Sequence, residues 1–183
     1  MKINLSLFDG SNFDKGAPFY KITLWYFVNA LFVRPACIPF MKWKLFWLRL
    51  FGAKIGKGLC LKPCVLIKSP WNLVVGDYCW IGENVWIDNL DKVTIGSNVC
   101  ISQGAMLLTG NHNYKVSSMP YRNAPIVVED GAWIGAKSVV TAGVTIATHS
   151  VLTVGSVVTK NTEPYGIYQG NPARKVKERV IDS

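Results

Sequence analysis

The sequence predicts an all-β protein built as a parallel β-helix, and a six-residue repeat is the main observation behind this prediction. Large apolar residues recur at every sixth position, namely Val128, Ile134, Val140, Ile146, Leu152 and Val158. Small residues stand four positions after the first five of these, namely Ala132, Ser138, Val144, Ser150 and Ser156. An α-helix repeats after about 3.6 residues and a strand after about 2, so neither produces this spacing. In a β-helix each six-residue unit supplies one short strand and its turn.

The alternation of large and small residues predicts which side chains fill the core. We expect the large apolar residues to point into a triangular prism and the small ones to lie near its corners, where bulk would clash with the backbone. Three units close one coil, and coils stack about 4.8 Å apart through parallel strand pairing. The repeat begins at Ile55, starts new coils at Val75, Ile95 and Val128, and gives about five coils in all.

A long segment without the repeat, residues 111 to 125, follows the third coil and must loop out of the prism. A long loop on a rigid scaffold is usually functional. This loop carries His112, and a neutral imidazole is the natural general base near neutral pH. His149 occupies a corner of the repeat, so we expect it to be structural. Because no serine or cysteine is placed to form a nucleophilic dyad, the sequence favours direct transfer through a ternary complex over a covalent enzyme.

The chain before the repeat, residues 1 to 52, is expected to form an arm and a helical cap on a β-helix domain of residues 53 to 183. Residues 1 to 17 are polar, whereas the apolar segments 19 to 33 and 41 to 51 are predicted helices. The first helix is too short and interrupted for a membrane span, which needs about 20 apolar residues. The end of a β-helix exposes core and unpaired backbone, which favours a cap. Contact of this basic, apolar segment with the inner membrane surface is a further expectation.

The charge favours an anionic partner. The chain has 20 Lys and Arg against 11 Asp and Glu, giving a net charge of +9, and the basic residues gather at 42 to 68 and at 160 to 179. Such an excess suits a phosphorylated ligand or a membrane surface, and nucleic acid ranks last because no nucleic-acid motif is present. Five cysteines without a C-x-x-C pair or a cleavable signal peptide indicate a reduced, cytoplasmic chain. Two histidines do not make a convincing zinc site.

Several motifs resemble those of the hexapeptide-repeat acetyltransferases. Residues 154 to 160 (Val-Gly-Ser-Val-Val-Thr-Lys) and 170 to 174 (Gly-Asn-Pro-Ala-Arg) resemble the C-terminal signature of that family. Residues 130 to 135 and 142 to 146 resemble its repeats, and Thr109-Gly110-Asn111-His112 resembles the segment with its catalytic histidine. The resemblance covers about residues 52 to 177. It is strongest to the maltose and galactoside O-acetyltransferases, and within them to the colanic acid (exopolysaccharide) O-acetyltransferases.

The resemblance implies a left-handed β-helix, an exception to the usual right-handed crossover, assembled as a homotrimer with acetyl-CoA between neighbouring prisms and without a metal ion. It implies that His112 is the catalytic base. The residues implied to line the groove for coenzyme A are Trp133, Ala136, Val154, Thr159, Lys160, Arg174 and Lys177. Candidates for the acceptor site are Asn84, Asp88 and Asn89.

The function expected from these observations is transfer of acetyl from acetyl-CoA to a sugar hydroxyl in surface-polysaccharide biosynthesis. The acceptor would be a sugar or a lipid-linked oligosaccharide, and the enzyme would act in the cytoplasm or at the inner face of the membrane. Three alternatives stay open. They are an acetyltransferase for an antibiotic or serine, a non-catalytic β-helix scaffold, and a metal enzyme of the γ-carbonic-anhydrase kind, which would need several histidines meeting between subunits.

Overall fold

The computed structural model describes residues 2–11 and 13–182, and stacked coils of short parallel strands form its main body. Five complete coils hold three strands each: β1 (Lys54–Ile55), β2 (Cys60–Leu61), β3 (Leu66–Ile67); β4 (Leu73–Val75), β5 (Trp80–Ile81), β6 (Trp86–Asp88); β7 (Val93–Ile95), β8 (Cys100–Ile101), β9 (Met106–Leu108); β10 (Ile126–Val128), β11 (Trp133–Ile134), β12 (Val139–Val140); β13 (Thr145–Ile146), β14 (Val151–Leu152), β15 (Val157–Val158).

The strands build the three faces of a triangular prism. The first strands of the coils pair in the order β1-β4-β7-β10-β13, the second in the order β2-β5-β8-β11-β14, and the third in the order β3-β6-β9-β12-β15. We call the corner between the second and third faces the groove corner, and the corner between the third and first faces the loop corner. The parallel prism predicted from the repeat is confirmed.

The register follows the six-residue repeat without a slip. Ile134 lies between Ile101 and Leu152 in the stack, and the other large apolar residues align in the same way on all three faces. These side chains are buried, except that Ile55 at the open end of the first coil is half-buried. The small residues predicted near the corners are buried too, and they hold the turns. The hydroxyl of Ser138, for example, donates to the carbonyl oxygen of Thr153 at 2.8 Å.

The C-terminal end of the prism is closed by two further strands. β16 (Gly166–Gly170) pairs with β14 and begins a sixth coil, and β17 (Ala173–Glu178) folds back antiparallel to β16. The antiparallel return ends the parallel stacking, because β17 does not continue around the prism. The capping tail expected from the sequence therefore takes the form of a hairpin.

The N-terminal end is covered by helices. These are α1 (Phe19–Val28), which continues into a π-helical turn (Asn29–Val33), and α2 (Met41–Leu50), while a 3₁₀ turn (Leu5–Leu7) lies in the arm and another (Pro70–Asn72) in the second coil. Both helices predicted for this segment are present. No helix in residues 2–11 and 13–182 is long and apolar enough to cross a membrane.

The helices satisfy backbone groups that the first coil leaves unpaired. The indole Nε1–H of Trp25 donates to the carbonyl oxygen of Ile67 at 3.0 Å, and the Cys64 N–H donates to the Arg34 carbonyl oxygen at 3.1 Å. Trp25, Leu45 and Leu48 from the two helices belong to the same buried cluster as the prism core. The open edge of the first coil is thus covered in both its apolar and its polar groups.

Replacing Trp25 with alanine tests this packing. The side chain is 3% exposed, so its loss should lower the free energy of unfolding by about 3–5 kcal/mol, measured by urea denaturation. The adjacent Tyr26 is 70% exposed, and Tyr26→Ala should change the same free energy by less than about 0.5 kcal/mol. Equal effects of the two substitutions would contradict the packing of α1 on the first coil.

Candidate active site

The loop between β9 and β10 carries His112, and one hydrogen bond fixes the tautomer of its neutral ring. Its Nδ1 lies 2.7 Å from the backbone carbonyl oxygen of Met119. A carbonyl oxygen can only accept a hydrogen bond, so Nδ1 must carry the proton of the neutral ring. Nε2 is then left with its lone pair and can accept a proton. This is the tautomer that a general base requires.

The loop around His112 is a small hairpin. His112 and Tyr121 form an antiparallel bridge, and the N–H of Asn113 donates to the carbonyl oxygen of Pro120 at 2.8 Å. The rings of His112 and Tyr121 stack with centroids 5.0 Å apart and an interplanar angle of 29°. The imidazole is therefore fixed by a hydrogen bond and by an aromatic neighbour, although its side chain is exposed.

The N-terminal arm lies across this hairpin. Phe8 packs edge-on against both His112 and Tyr121, with ring centroids 6.0 and 5.3 Å apart. The N–H of Asn4 donates to the carbonyl oxygen of Ser117 at 2.9 Å. From the sequence, residues 1 to 17 are expected to form only a polar arm, with no part in a site. No local pattern in the sequence signals a contact between segments about a hundred positions apart.

Two neighbouring cavities lie between the arm, the cap and the loop, with volumes of about 450 and 540 Å³. They share Phe13, Leu90 and Tyr121 as lining residues. The polar lining of the smaller cavity consists of Asp9, Asp14, Asn72, Asp91 and Asn123. The larger cavity is lined mainly by apolar residues such as Phe8, Ile22 and Trp71, together with two lysines, Lys15 and Lys68, and two serines, Ser11 and Ser69.

The carboxylates of the smaller cavity suit hydroxyl-bearing ligands. Hydrogen bonds from the backbone N–H and the hydroxyl of Ser11 hold the pKa of Asp9 below its usual value. Asp9 is therefore a carboxylate, and thus a pure acceptor, at neutral pH. Since Tyr121 lines both cavities and also stacks on His112, a ligand in this space would lie beside the histidine.

The three residues predicted for the acceptor site are placed differently from one another. Asp88 lies at the loop corner and forms an ion pair with Lys68 at 2.8 Å. Asn89 is fully buried, and its amide accepts from the N–H of Ser69 at 2.9 Å and donates to the carbonyl oxygen of Ser69 at 2.6 Å. Both polar atoms of the Asn89 side chain thus join two coils, and its role in the acceptor site stays a prediction. Asn84 lies at the groove corner, away from the histidine of its own chain.

Three of the residues predicted to bind coenzyme A line one groove. Trp133, Ala136 and Val154 border a groove of about 440 Å³ at the groove corner. The indole of Trp133 is 46% exposed, and its Nε1–H donates to the hydroxyl oxygen of Ser102 at 2.9 Å. This hydrogen bond fixes the orientation of the indole, so the wall of the groove is preformed.

The other four predicted residues lie toward the C-terminal end of the prism. Thr159 and Lys160 follow β15 at the loop corner, and Arg174 and Lys177 lie on β17, all of them exposed. Lys175, between the last two, pairs with Glu163 at 2.6 Å and also with Glu178. Among the described residues, no ion pair involves Lys160, Arg174 or Lys177. These cations are available to an anionic ligand, whereas Lys175 is neutralised.

The third face of the prism separates His112 from the groove within one chain. His112 lies at the loop corner, whereas Ala136 and Val154 lie at the groove corner, and strands β3, β6, β9, β12 and β15 run between the two corners. The predicted base, His112, and the predicted groove for coenzyme A therefore do not meet in a single prism.

Two of the five cysteines, Cys79 and Cys100, are not activated as nucleophiles. Burial raises the pKa of the Cys79 and Cys100 thiols, which keeps both protonated near neutral pH. In the part of the chain that the structure describes, no three His, Cys, Asp or Glu side chains are grouped so as to hold a metal ion.

Comparisons with known proteins agree on one family. No protein-family model matches the chain. The colanic acid biosynthesis acetyltransferase WcaF of Escherichia coli is 36% identical over 166 residues, which covers 91% of each chain. The galactoside O-acetyltransferase of Escherichia coli is 32% identical over 130 residues, covering 69% of this chain and 64% of the relative.

A solved structure shows the same fold. The hexapeptide-repeat acetyltransferase of Vibrio cholerae O1 biovar eltor, complexed with acetyl coenzyme A, superposes with a TM-score of 0.80 at 24% identity, covering 94% of this chain and 96% of that one. The prism is accordingly a left-handed parallel β-helix, as predicted. The sequence identity extends over nine-tenths of the chain, and so the protein belongs to the hexapeptide-repeat acetyltransferases and is an acyltransferase.

Proposed function

We propose that the protein transfers acetyl from acetyl-CoA directly to a sugar hydroxyl in the biosynthesis of a surface polysaccharide, with His112 as the general base. The observation that carries this proposal is the hydrogen bond from Nδ1–H of His112 to the Met119 carbonyl oxygen, which leaves Nε2 free to accept a proton. The name of one relative refers to colanic acid biosynthesis and that of another to O-acetylation of galactosides, which supports a sugar acceptor.

The reaction needs one proton acceptor and no covalent enzyme intermediate. The sugar hydroxyl donates a hydrogen bond to Nε2 of His112. As its oxygen attacks the thioester carbonyl carbon, the new C–O bond forms and Nε2 takes the proton. When the tetrahedral intermediate collapses, the C–S bond breaks and the departing sulfur takes the proton from the imidazolium, so that the histidine is neutral again. The Met119 carbonyl oxygen holds the ring in place throughout and stabilises its charged form.

We place the acceptor, a sugar or a lipid-linked oligosaccharide, in the cavities under the N-terminal arm. Carboxylates and amides such as Asp9, Asp14 and Asn123 can accept and donate hydrogen bonds with sugar hydroxyls. The aromatic rings of Phe13 and Tyr121 offer flat surfaces to the apolar side of a sugar ring. Asp88, at the same corner, would take part through its ion pair with Lys68, which lines the larger cavity.

Acetyl-CoA would lie in the groove along Trp133, Ala136 and Val154 of one chain, with its phosphates near Arg174 and Lys177 and near Thr159 and Lys160 at the loop corner of the neighbouring chain. Guanidinium and ammonium groups bind phosphate strongly because the hydrogen bonds are charge-assisted. Their lack of carboxylate partners within the described ranges supports this role.

A homotrimer would join the two halves of the site. Because the third face separates His112 from the groove in one chain, the loop corner of one prism must meet the groove corner of a neighbour. A closed ring of identical head-to-tail contacts satisfies this requirement for every chain at once. In such a ring Asn84, at the groove corner, would approach the histidine of the neighbouring chain.

Replacing His112 with alanine should lower turnover by about 10²- to 10⁴-fold, because the proton acceptor is lost. Binding of acetyl-CoA, measured by calorimetry, should be unchanged. The readout is thiol release with a panel of sugar acceptors, together with a mass-spectrometric gain of one acetyl group on the sugar.

His149 is the matched control for this substitution. It stacks on Tyr165 at 4.9 Å and lies at a corner of the prism, so His149→Ala should leave turnover within a few-fold of the wild type. A loss at His149 comparable to that at His112 would reverse the assignment of the base. Acetylation of serine or an antibiotic in preference to every sugar would contradict the proposed acceptor class.

Replacing Lys160 or Arg174 with alanine should raise the KM for acetyl-CoA about 10-fold with little change in kcat. The phosphates do not change during the reaction, so the lost contacts bind ground state and transition state alike. Lys175→Ala is the control, because Lys175 is already paired with Glu163 and Glu178 and should not affect this KM. An increase confined to the KM of the sugar would show that the groove is wrongly placed.

Complementation tests whether two chains build each site. His112→Ala removes the base, and Ala136→Trp fills the groove, so each variant alone should be inactive. After co-expression, about one site in four of a cyclic trimer would combine an intact histidine with an intact groove, and activity should return to about a quarter of the wild type. Light scattering should give three times the chain mass of 20.3 kDa. A mixture as inactive as its components would place each site within one chain.

A further inference from the structure

The net charge of the protein lies entirely at its N-terminal end. Residues 1 to 68, which form the arm, the cap and the first coil, contain eleven Lys and Arg but only two Asp and no Glu. Residues 69 to 183 contain nine basic and nine acidic residues. The first segment therefore carries the whole charge of +9, and the remaining coils and the tail are neutral as a group.

The corners of the first coil carry this charge at the surface. Lys57, Lys62 and Lys68 stand one at each corner of the first coil, and all three are exposed. The corners of the second coil carry carboxylates instead. Asp77 accepts from the backbone N–H of Lys57 at 2.8 Å, and Asp88 pairs with Lys68 at 2.8 Å. The positive potential is consequently strongest toward the cap and weakens along the prism.

The cap is apolar on its outer side as well as on the side that covers the prism. Nine large hydrophobic side chains between residues 19 and 50 are each more than half exposed, namely Phe19, Tyr20, Leu24, Tyr26, Phe27, Leu31, Phe40, Phe46 and Leu50. We call these nine residues the cap surface. Covering the first coil does not require them, because Trp25, Val28, Leu45 and Leu48 supply the buried side. So many exposed large apolar side chains on one short segment indicate an interaction site.

We propose that the cap surface docks on a bilayer that contains anionic lipid. Aromatic and aliphatic side chains enter the boundary between headgroups and acyl chains, and neighbouring lysines and arginines attract the anionic headgroups. Exposed basic residues accompany the cap surface on α2 and on the first coil, including Lys42, Lys54 and Lys62. Tyrosines such as Tyr20 and Tyr26 suit the interfacial layer because the ring is apolar and the hydroxyl is polar.

The net charge favours a bilayer over a second copy of the chain as the partner of the cap surface. Two copies meeting through their cap surfaces would bring two segments of +9 together, and like-charge repulsion opposes such a contact. An anionic bilayer instead complements the charge over the full width of the prism end. An acidic protein would complement the charge too, but the nine side chains of the cap surface are aromatic or aliphatic and offer its carboxylates no hydrogen-bond donor other than two tyrosine hydroxyls.

Docking would bring the candidate acceptor cavity close to the lipid. Ile22 of α1 and Lys15 of the arm line the larger cavity, so that cavity adjoins the cap. This consequence rests on the proposed function, since it concerns an acceptor. If the chains form the proposed trimer with parallel prisms, the three caps face the same way and bind one membrane together. The docking surface itself depends on neither statement.

The test is flotation of the full-length protein with vesicles. Vesicles of phosphatidylcholine with about one-third phosphatidylglycerol should recover most of the protein at about 50 mM salt and at least about 5-fold less at about 500 mM salt, because salt screens the attraction. Vesicles of phosphatidylcholine alone should recover little at either salt concentration. Failure of the wild-type protein to float with the anionic vesicles overturns the proposal, whatever its acetyltransferase activity with a free sugar.

Two sets of variants localise the contact. Phe19→Ser/Tyr26→Ser/Phe40→Ser should reduce flotation at least about 5-fold, because the inserting rings are lost. Lys42→Glu/Lys62→Glu should reduce it similarly, whereas Lys92→Glu/Lys137→Glu makes the same change in net charge on later coils and should leave it unchanged. Equal losses in both charge variants overturn the assignment to the cap end. The charge variants alone decide the matter if the triple variant loses the wild-type melting transition.

A measurement of the oligomer mass tests whether a second copy of the chain, rather than lipid, binds the cap surface. Light scattering over a range of protein concentrations should show no doubling of the oligomer. A concentration-dependent doubling that Phe19→Ser/Tyr26→Ser/Phe40→Ser abolishes would assign the cap surface to a second copy and overturn docking on lipid.

Discussion

Parallel backbone hydrogen bonds between successive coils are the interaction on which the rest of the structure depends. They fix the spacing of the coils and keep each six-residue unit above its counterpart, as Ile134 lies between Ile101 and Leu152. Once the register is set, every large apolar residue of the repeat lies in the core. Equivalent turns of successive coils then stack along the same edge of the prism. The groove walls, the loop and the basic C-terminal residues therefore occupy fixed edges and heights on a scaffold that cannot rearrange in small steps.

At each end of the prism the outermost coil has no neighbour, so its backbone groups would be left without hydrogen-bond partners. The two ends are covered by different structures. At the C-terminal end β17 turns back on β16, and side chains such as Lys175 are held by carboxylates. At the N-terminal end a helical layer donates to and accepts from the first coil through groups such as the Trp25 indole. That layer is thick enough to have a second, outward side, which is where the exposed aromatic residues collect.

The core was predictable from the sequence because its rule is local and periodic. Each residue of the series from Val128 to Val158 can be assigned by counting, without knowledge of any distant contact. The surroundings of His112 follow no such rule. Phe8 contacts the histidine from the N-terminal arm, about a hundred positions away in the sequence. The Met119 carbonyl oxygen, which sets the tautomer of His112, belongs to a hairpin outside the six-residue repeat. The surroundings of Asn89 follow no local rule either, because its amide side chain, at a corner with an insertion, pairs with the backbone of Ser69.

The insertion of the loop after the third coil has a consequence for how such enzymes can diverge. The level at which the loop leaves the prism can change only by adding or removing a whole coil, which is a step of about 4.8 Å. For the proposed proton transfer to His112 a step of that size is too large, because the reacting atoms must lie within hydrogen-bond reach. Gradual change is therefore confined to the arm and the hairpin, where single substitutions such as those at Asp9 or Tyr121 reshape the cavity. In this architecture the position of the loop along the prism changes in whole coils, whereas the cavity beneath the arm can change by single substitutions.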